Sequence, residues 1–382
     1  MHSPDIAPVY DSNKCVYFAL GRNAMYAACR ALGLKENDEV LTPAFDCDGS
    51  LQPFRVLNLK LRFYGSKPYD FSADIDDIRR KISAKTKLIH VINHFGMPQP
   101  WDELLALRKD TGIPILEDNA YSLFSSFNGK PFGSFGDMSI FSLHKNLPIV
   151  DGGMLRVNNP KYDLPSVDKN APWLYKTEIM TLLVLIKTRL GWYKAPGWAR
   201  SLGRHFKPEI EPPPPLYSEE RSGYPDWPLR DQIGKEFACD YLRPISRLAR
   251  MQLNSFSKKY YDDVCLEKKK AYEWLSAQLR DMKGITVIWP ALPRGTVPFS
   301  ISFLVDSNRD SLFNELRNRY DVMVWPVLSR QILDDLESYP EVKFLGRKLL
   351  QINLMSDKVK LPGFSQYLVN MIRDIRFWTE SA

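Results

Sequence analysis

Between residues 16 and 157, short β-rich apolar runs alternate with stretches of helical periodicity, and this alternation constrains the fold most. Strands separated by helices pair in parallel, because each crossover helix returns the chain to the same edge of the sheet. Runs at 39–41, 61–64, 88–92, 113–116, 138–142 and 153–157 read as strands, and residues 24–32, 75–82 and 101–111 as helices with one apolar face. The pattern predicts an α/β domain with a mostly parallel sheet over residues 1–159.

The rhythm breaks at residue 160. PEIEPPPPL at 208–216 and PDWP at 225–228 sustain neither helix nor central strand, so residues 160–231 read as an insert or connecting segment. Within it, residues 173–193 are apolar and helical in character. The uninterrupted run 179–186 is far short of the ~20 residues of a membrane span and is flanked by Lys176, Glu178, Lys187 and Arg189. A helix packed on protein is the first reading, and peripheral membrane contact through residues 173–206 the second. Trp192, Trp198 and Phe206 fit a local hydrophobic cluster. Residues 232–382 read as a smaller α+β domain: a long helical region to 279, strands at 286–288 and 299–305, and helices at 309–319 and 363–377.

A net charge of +7 arises from 52 basic against 45 acidic residues, a mixed surface without a helix-turn-helix, zinc-finger or RNA-binding signature. No nucleic-acid role is expected, while phosphate-bearing ligands suit the excess. Cys15, Cys29, Cys47, Cys239 and Cys265 are odd in number and lack CxxC spacing, which fits reduced thiols and no metal site. The first residues lack a basic start followed by an apolar core, so the expected location is cytoplasmic.

The chemistry concentrates in ILEDNAYS at 115–122 and GSFGDMSIFSLHKNLPIVDGGML at 133–155. A strand ending in Asp118 sets a carboxylate at the carboxyl edge of a parallel sheet, where open α/β folds bind ligands. The strand 138–142 brings Lys145 to the same edge, and Gly21-Arg22-Asn23 opens a helix whose free N–H groups suit a phosphate. An amine, a carboxylate and a phosphate seat together match pyridoxal 5'-phosphate (PLP).

With HFGMPQP at 94–100, EDNA at 117–120, GSFGD at 133–137, KNLPIVDGG at 145–153 and LLQINL at 349–354, the chain resembles the DegT-type (DnrJ/StrS) sugar aminotransferases. The resemblance implies an aspartate-aminotransferase-like fold, and a PLP enzyme passing an amino group from glutamate to a keto substrate such as a nucleotide-linked keto sugar. It further implies a homodimer. Lys145 would carry the cofactor and move the proton, with a buried, cation-lined site lowering its pKa. Asp118 would face the pyridine nitrogen, and Ser142 with the Gly21–Asn23 amides would hold the phosphate.

Four departures from the family pattern follow. Tyr121 stands where Gln or His is common, and would reach the cofactor's phenolic oxygen by its hydroxyl. Arg22 replaces Thr or Ser, and offers either a phosphate contact or a surface salt bridge. Cys47 aligns near the usual stacking aromatic, leaving Phe45 or another residue to supply that surface. Asp151 replaces glutamate before the paired glycines. His94 and His144 read as satisfied hydrogen-bonding residues. Two other classes compete: different PLP chemistry on an amino acid, and a silent PLP-binding scaffold.

Overall fold

The computed structural model describes residues 12–168, 170–179, 181–183, 185, 241–326, 328–354 and 363–381. The proline-rich runs at 208–216 and 225–228, residues 180, 184 and 186–193 of the apolar stretch, and Trp192, Trp198 and Phe206 lie outside the described residues.

Seven strands form the larger sheet: β1 (Cys15–Phe18), β2 (Glu39–Pro43), β3 (Lys60–Tyr64), β4 (Thr86–Ile92), β5 (Ile115–Asp118), β8 (Met138–Ser142) and β9 (Gly153–Val157). A small hairpin, β6 (Ser126–Phe127) with β7 (Lys130–Pro131), stands apart. The order across the large sheet is β1-β9-β8-β5-β4-β2-β3. The five strands from β8 to β3 run parallel, whereas β9 runs antiparallel to both β8 and β1. Every residue of β5 and β8 is buried, as strands covered by helices on both faces require.

The helices of this half are α1 (Gly21–Ala31), α2 (Asp48–Val56), α3 (Ile75–Lys81), α4 (Trp101–Thr111) and α5 (Leu143–Asn146). In α4 the spacing of Trp101, Leu104 and Leu107 makes one buried stripe. Asp102 and Glu103 in its first turn and Arg108 and Lys109 in its last complement the helix dipole, and Gly112 ends it at φ 70°.

Residues 241–381 contribute α6 (Arg247–Asn254), α7 (Lys258–Arg280), α8 (Arg309–Leu316), α9 (Arg330–Asp334), α10 (Pro340–Lys348) and α11 (Phe364–Ser381). They also build an antiparallel sheet of β10 (Ile285–Val287), β11 (Ser300–Val305), β13 (Leu349–Asn353) and β12 (Val322–Met323), in that order. Leu275, Leu279, Leu312, Met371 and Ile375 bury this sheet's apolar face.

Several expectations shift. The strand read at 113–116 lies at Ile115–Asp118, because Pro114 excludes it from the earlier register and the acid itself ends the strand. The long helix read to 279 is two helices, and Ser257 caps the second by accepting the Tyr260 N–H. Sequence periodicity missed β1, a short edge strand, and α2, whose Pro53 disguises it. No described helix is long and apolar enough to cross a membrane.

Candidate active site

Parallel β2, β4, β5 and β8 end at one edge of the sheet, and the antiparallel β9 starts there, since Gly153 lies opposite Ser142. The short helix α5 follows β8 at this edge. Asn146 pins it by donating from Nδ2 to the carbonyls of Ser142 and Ala120, both at 2.9 Å, and the Leu143 N–H donates to Gly152 O at 2.8 Å. Lys145 then points its Nζ at Tyr121, donating to the hydroxyl at 3.0 Å with the ring centroid 4.2 Å away.

The surroundings of Lys145 reverse the expectation of a cation-lined site. Burial alone would lower the pKa of its amine, but Tyr121, Cys47 and Asp118 are groups that ionise to anions, and together they raise it. Tyr121 is itself held above its ordinary pKa by burial, which the neighbouring ammonium partly offsets.

Adjacent carboxylates on β5 point to opposite faces and do different work. Glu117 accepts from the N–H groups of Gly133, Phe135 and Gly136, from Ser139 Oγ and from Asn93 Nδ2, and so ties the GSFGD loop to the sheet. Asp118 accepts from the Ala120 N–H at 2.7 Å and lies 3.4 Å from His90 Nε2. In the same loop Asp137 accepts from Arg108 Nε at 2.6 Å and from the Ile115 N–H at 2.9 Å, a structural clamp.

The start of α1 comes very close to the ends of β8 and β9. A Cβ on Gly21 would sit 3.2 Å from Ser142 Cβ, and one on Gly153 would fall 2.1 Å from Leu20 O. Glycine is therefore required at 153 by close approach of backbone. The expected trio of amides needs a correction at Asn23: its N–H donates to Leu20 O at 3.0 Å, and its Oδ1 accepts the Leu20 N–H at 3.0 Å. Asn23 closes the helix start on itself, while Gly21 stands against Ser142. Arg22 Nη1 donates to Gln52 Oε1 at 2.8 Å.

Phe45 does not offer a stacking face. Its ring is 1% exposed, stacked on Phe71 at 5.5 Å and met edge-on by Trp325 at 5.7 Å. Cys47 is the N-cap residue of α2 and bridges to Leu328, which brings the smaller sheet's unit against the site. Its thiol is pushed up to about 11 by burial and by Asp46. Asp46, also raised to about 6 by burial, accepts from the Cys47 N–H at 2.6 Å and from Ser50 Oγ. Asp151 accepts the Ser246 N–H at 3.0 Å, joining the paired glycines to α6.

His94 is buried and His144 half-buried, and the reading of both as satisfied fails at His94 Nδ1, which is buried without a hydrogen-bond partner. His94 Nε2 donates to Phe45 O at 3.0 Å, and His144 Nδ1 lies 3.2 Å from Gly152 O. Burial lowers both to about 4. Sequence reading missed His90, which touches Asp118, although a histidine within the apolar run KLIHVI is itself a signal. Trp325, whose ring meets Tyr121 at 5.3 Å, carries no such signal.

The chemistry of this set fits PLP: an amine, a hydroxyl beside it, a carboxylate, and a cradle that any larger residue at 153 would fill. Residues 5–164 match the DegT/DnrJ/EryC1/StrS aminotransferase family. Over 141 residues the chain is 32% identical to GDP-perosamine synthase of Escherichia coli O157:H7, a stretch covering 36% of this chain and 39% of that protein. The alignment thus spans about two fifths of that relative's length. Among solved structures, the aminotransferase TlmJ from Streptoalloteichus hindustanus superposes with a TM-score of 0.67 at 17% identity, covering 97% of this chain and 88% of that one. A sugar aminotransferase described as putative, Spr1654 from Streptococcus pneumoniae in its PLP form, gives 0.66 at 16%, covering 96% and 87%. At such identities the likeness shows the fold, an α/β aminotransferase architecture.

Proposed function

We propose that this chain, whose residues 5–164 match the DegT/DnrJ/EryC1/StrS aminotransferase family, is a PLP-dependent aminotransferase that moves an amino group from glutamate to a nucleotide-linked keto sugar. The observation that carries this reading is the meeting of Lys145, Tyr121 and Asp118 beside the glycine cradle at one sheet edge.

PLP, when bound, supplies the electron sink that makes the donor's α-proton removable. Lys145 is the residue for covalent attachment, and its Nζ is the atom that takes up and returns the proton. Tyr121 Oη, 3.0 Å from that nitrogen, orients it and steadies its charge. The Asp118 carboxylate is the partner for a protonated ring nitrogen. Ser142 and the start of α1, with Gly21 and Arg22, would receive the phosphate through hydroxyl, amide and guanidinium groups. Cys47 would border the ring in place of an aromatic residue. The aromatic side chains of Phe95, Phe299 and Trp325 enclose the Tyr121 ring. The working unit in this reading is a cytoplasmic homodimer, which sedimentation checks.

The test is to load purified protein with PLP, reduce with borohydride and map the labelled peptide, then supply glutamate and a panel of nucleotide-linked keto sugars. Label on Lys145, and a product in which one carbonyl has become an amine, support the reading. A colourless protein, or label on another residue, refutes it.

A further inference from the structure

Strands β5, β4 and β2 are consecutive neighbours, and one face of this trio carries a row of buried polar side chains. Ile92 lies opposite Asp118 and His90 opposite Leu116, so the two-residue pleat puts His90 and Asp118 on one face, one step apart along the strands. Leu41 lies opposite Ile89, which sets Thr42 beside His90. The contacts agree: Thr42 Oγ1 is 2.9 Å from His90 Nδ1, and His90 Nε2 is 3.4 Å from Asp118 Oδ2. Thr42 and His90 are 0% exposed and Asp118 3%. Phe54 from α2 closes the row with its ring edge against the imidazole, 5.4 Å between centroids.

A buried imidazole needs a partner at each nitrogen, and a threonine hydroxyl serves in both protonation states, donating to a neutral ring or accepting from a charged one. Nε2–H therefore stays aimed at Asp118 Oδ2 whatever the charge, while the Ala120 N–H holds Oδ1 at 2.7 Å. Both carboxylate oxygens have a donor. That arrangement fixes the side-chain angle. Asp46, His94, Tyr121 and Lys145 are the other ionisable groups that act on this pair.

We infer that His90, held by Thr42, is a positioning residue that orients the Asp118 carboxylate and keeps its charge available to the cofactor's ring nitrogen. The inference rests on the proposed PLP function. Nothing in it requires His90 to touch substrate or cofactor.

A double-mutant cycle on the PLP-loaded protein tests it, comparing His90→Phe, Asp118→Asn and the pair, with His90→Gln and Thr42→Val alongside. His90→Phe is expected to lower kcat about 10- to 100-fold with the donor KM changed less than about threefold, and to move the pH midpoint of the bound cofactor's visible band. In the Asp118→Asn background the same change should cost less than about twofold, because the route through the carboxylate is already gone. His90→Gln, which keeps an N–H donor, should recover most of the loss. An equal cost in both backgrounds overturns the inference, as does a glutamine variant no better than phenylalanine with the band unmoved. If His90→Phe fails to fold, Thr42→Val carries the cycle with Asp118→Asn and must show the same non-additivity. Failure of the wild-type protein to take up PLP sinks both readings, whereas normal uptake with an additive cycle sinks only this one.

Discussion

Replacing Glu117 by alanine tests whether the paired acids of EDNA divide their labour as described. The change removes one carboxylate shared by five donors, at 2.6 Å (Gly133 N), 2.9 Å (Phe135 N) and 3.1 Å (Gly136 N, Ser139 Oγ, Asn93 Nδ2). Glu117 is 0% exposed, so bulk water does not replace it. An orphaned buried donor costs about 1–3 kcal/mol, and five would exceed the stability of many domains. Two effects reduce the sum. Asn93 Nδ2 keeps a second acceptor, Asn119 Oδ1 at 2.7 Å, and removing a buried charge returns its desolvation cost. The net expectation is about 3–5 kcal/mol, near the top of the range for single substitutions. Glu117→Gln keeps one carbonyl oxygen and should cost about half. Asp118→Ala, one residue along, loses the Ala120 N–H acceptor and the long His90 contact, and should cost about 1 kcal/mol. Urea unfolding of the cofactor-free proteins, followed by circular dichroism and compared at a common m value, measures all three. A Glu117→Ala cost below about 1.5 kcal/mol, or one matched by Asp118→Ala, would refute the division.

Gly153→Ala forces a methyl group to within 2.1 Å of Leu20 O and 2.7 Å of the Gly21 N, so equilibrium dialysis should show PLP affinity weakened at least about tenfold, and unchanged affinity would contradict the cradle. Tyr121→Phe removes the acceptor that helps raise the Lys145 pKa, and the amine's titration midpoint, followed by the pH dependence of cofactor attachment, should move to lower pH. His94 and His144 are lowered from 6.5 to about 4, so the folded state binds fewer protons there, and stability present above pH 6.5 is lost as pH falls toward 4, by about 3 kcal/mol each. Asp46, raised from 3.8 to about 6, acts oppositely, its contribution being present below pH 3.8 and lost as pH rises through 6. The double His94→Gln/His144→Gln variant should flatten the acid side of the stability profile and Asp46→Asn should steepen it; identical profiles would refute both assignments.

The strands β8 and β9 were legible residue for residue, because continuous apolar runs between glycines leave a buried strand little freedom. The placing of Lys145 and Asp118 at one sheet edge was legible from their positions after strands. Local pattern does not encode pairing direction, so the antiparallel β9 was invisible, and with it the reason for Gly153. Asn23 was misread for a related reason: a helix start advertises its free amides equally whether a ligand or its own side chain will take them. Phe45 was misread because an aromatic residue near a site looks the same in sequence whether its face is open or covered by Phe71 and Trp325, partners 26 and 280 residues away. Long-range contacts of that kind also hid His90, whose meaning depends on which strands lie beside β4.

The approach of Leu20 to Gly153 has a consequence for biosynthesis. The anion seat is stitched from segments about 130 residues apart, so a nascent polypeptide that has emerged only through the first six strands already owns Gly21 yet has no floor under it. Leu328, paired with Cys47, extends the wait into the second half of translation. Cofactor capture should therefore be a late event on this chain: stalled products ending before residue 150 would leave the ribosome unable to retain PLP, whatever helices they had already formed.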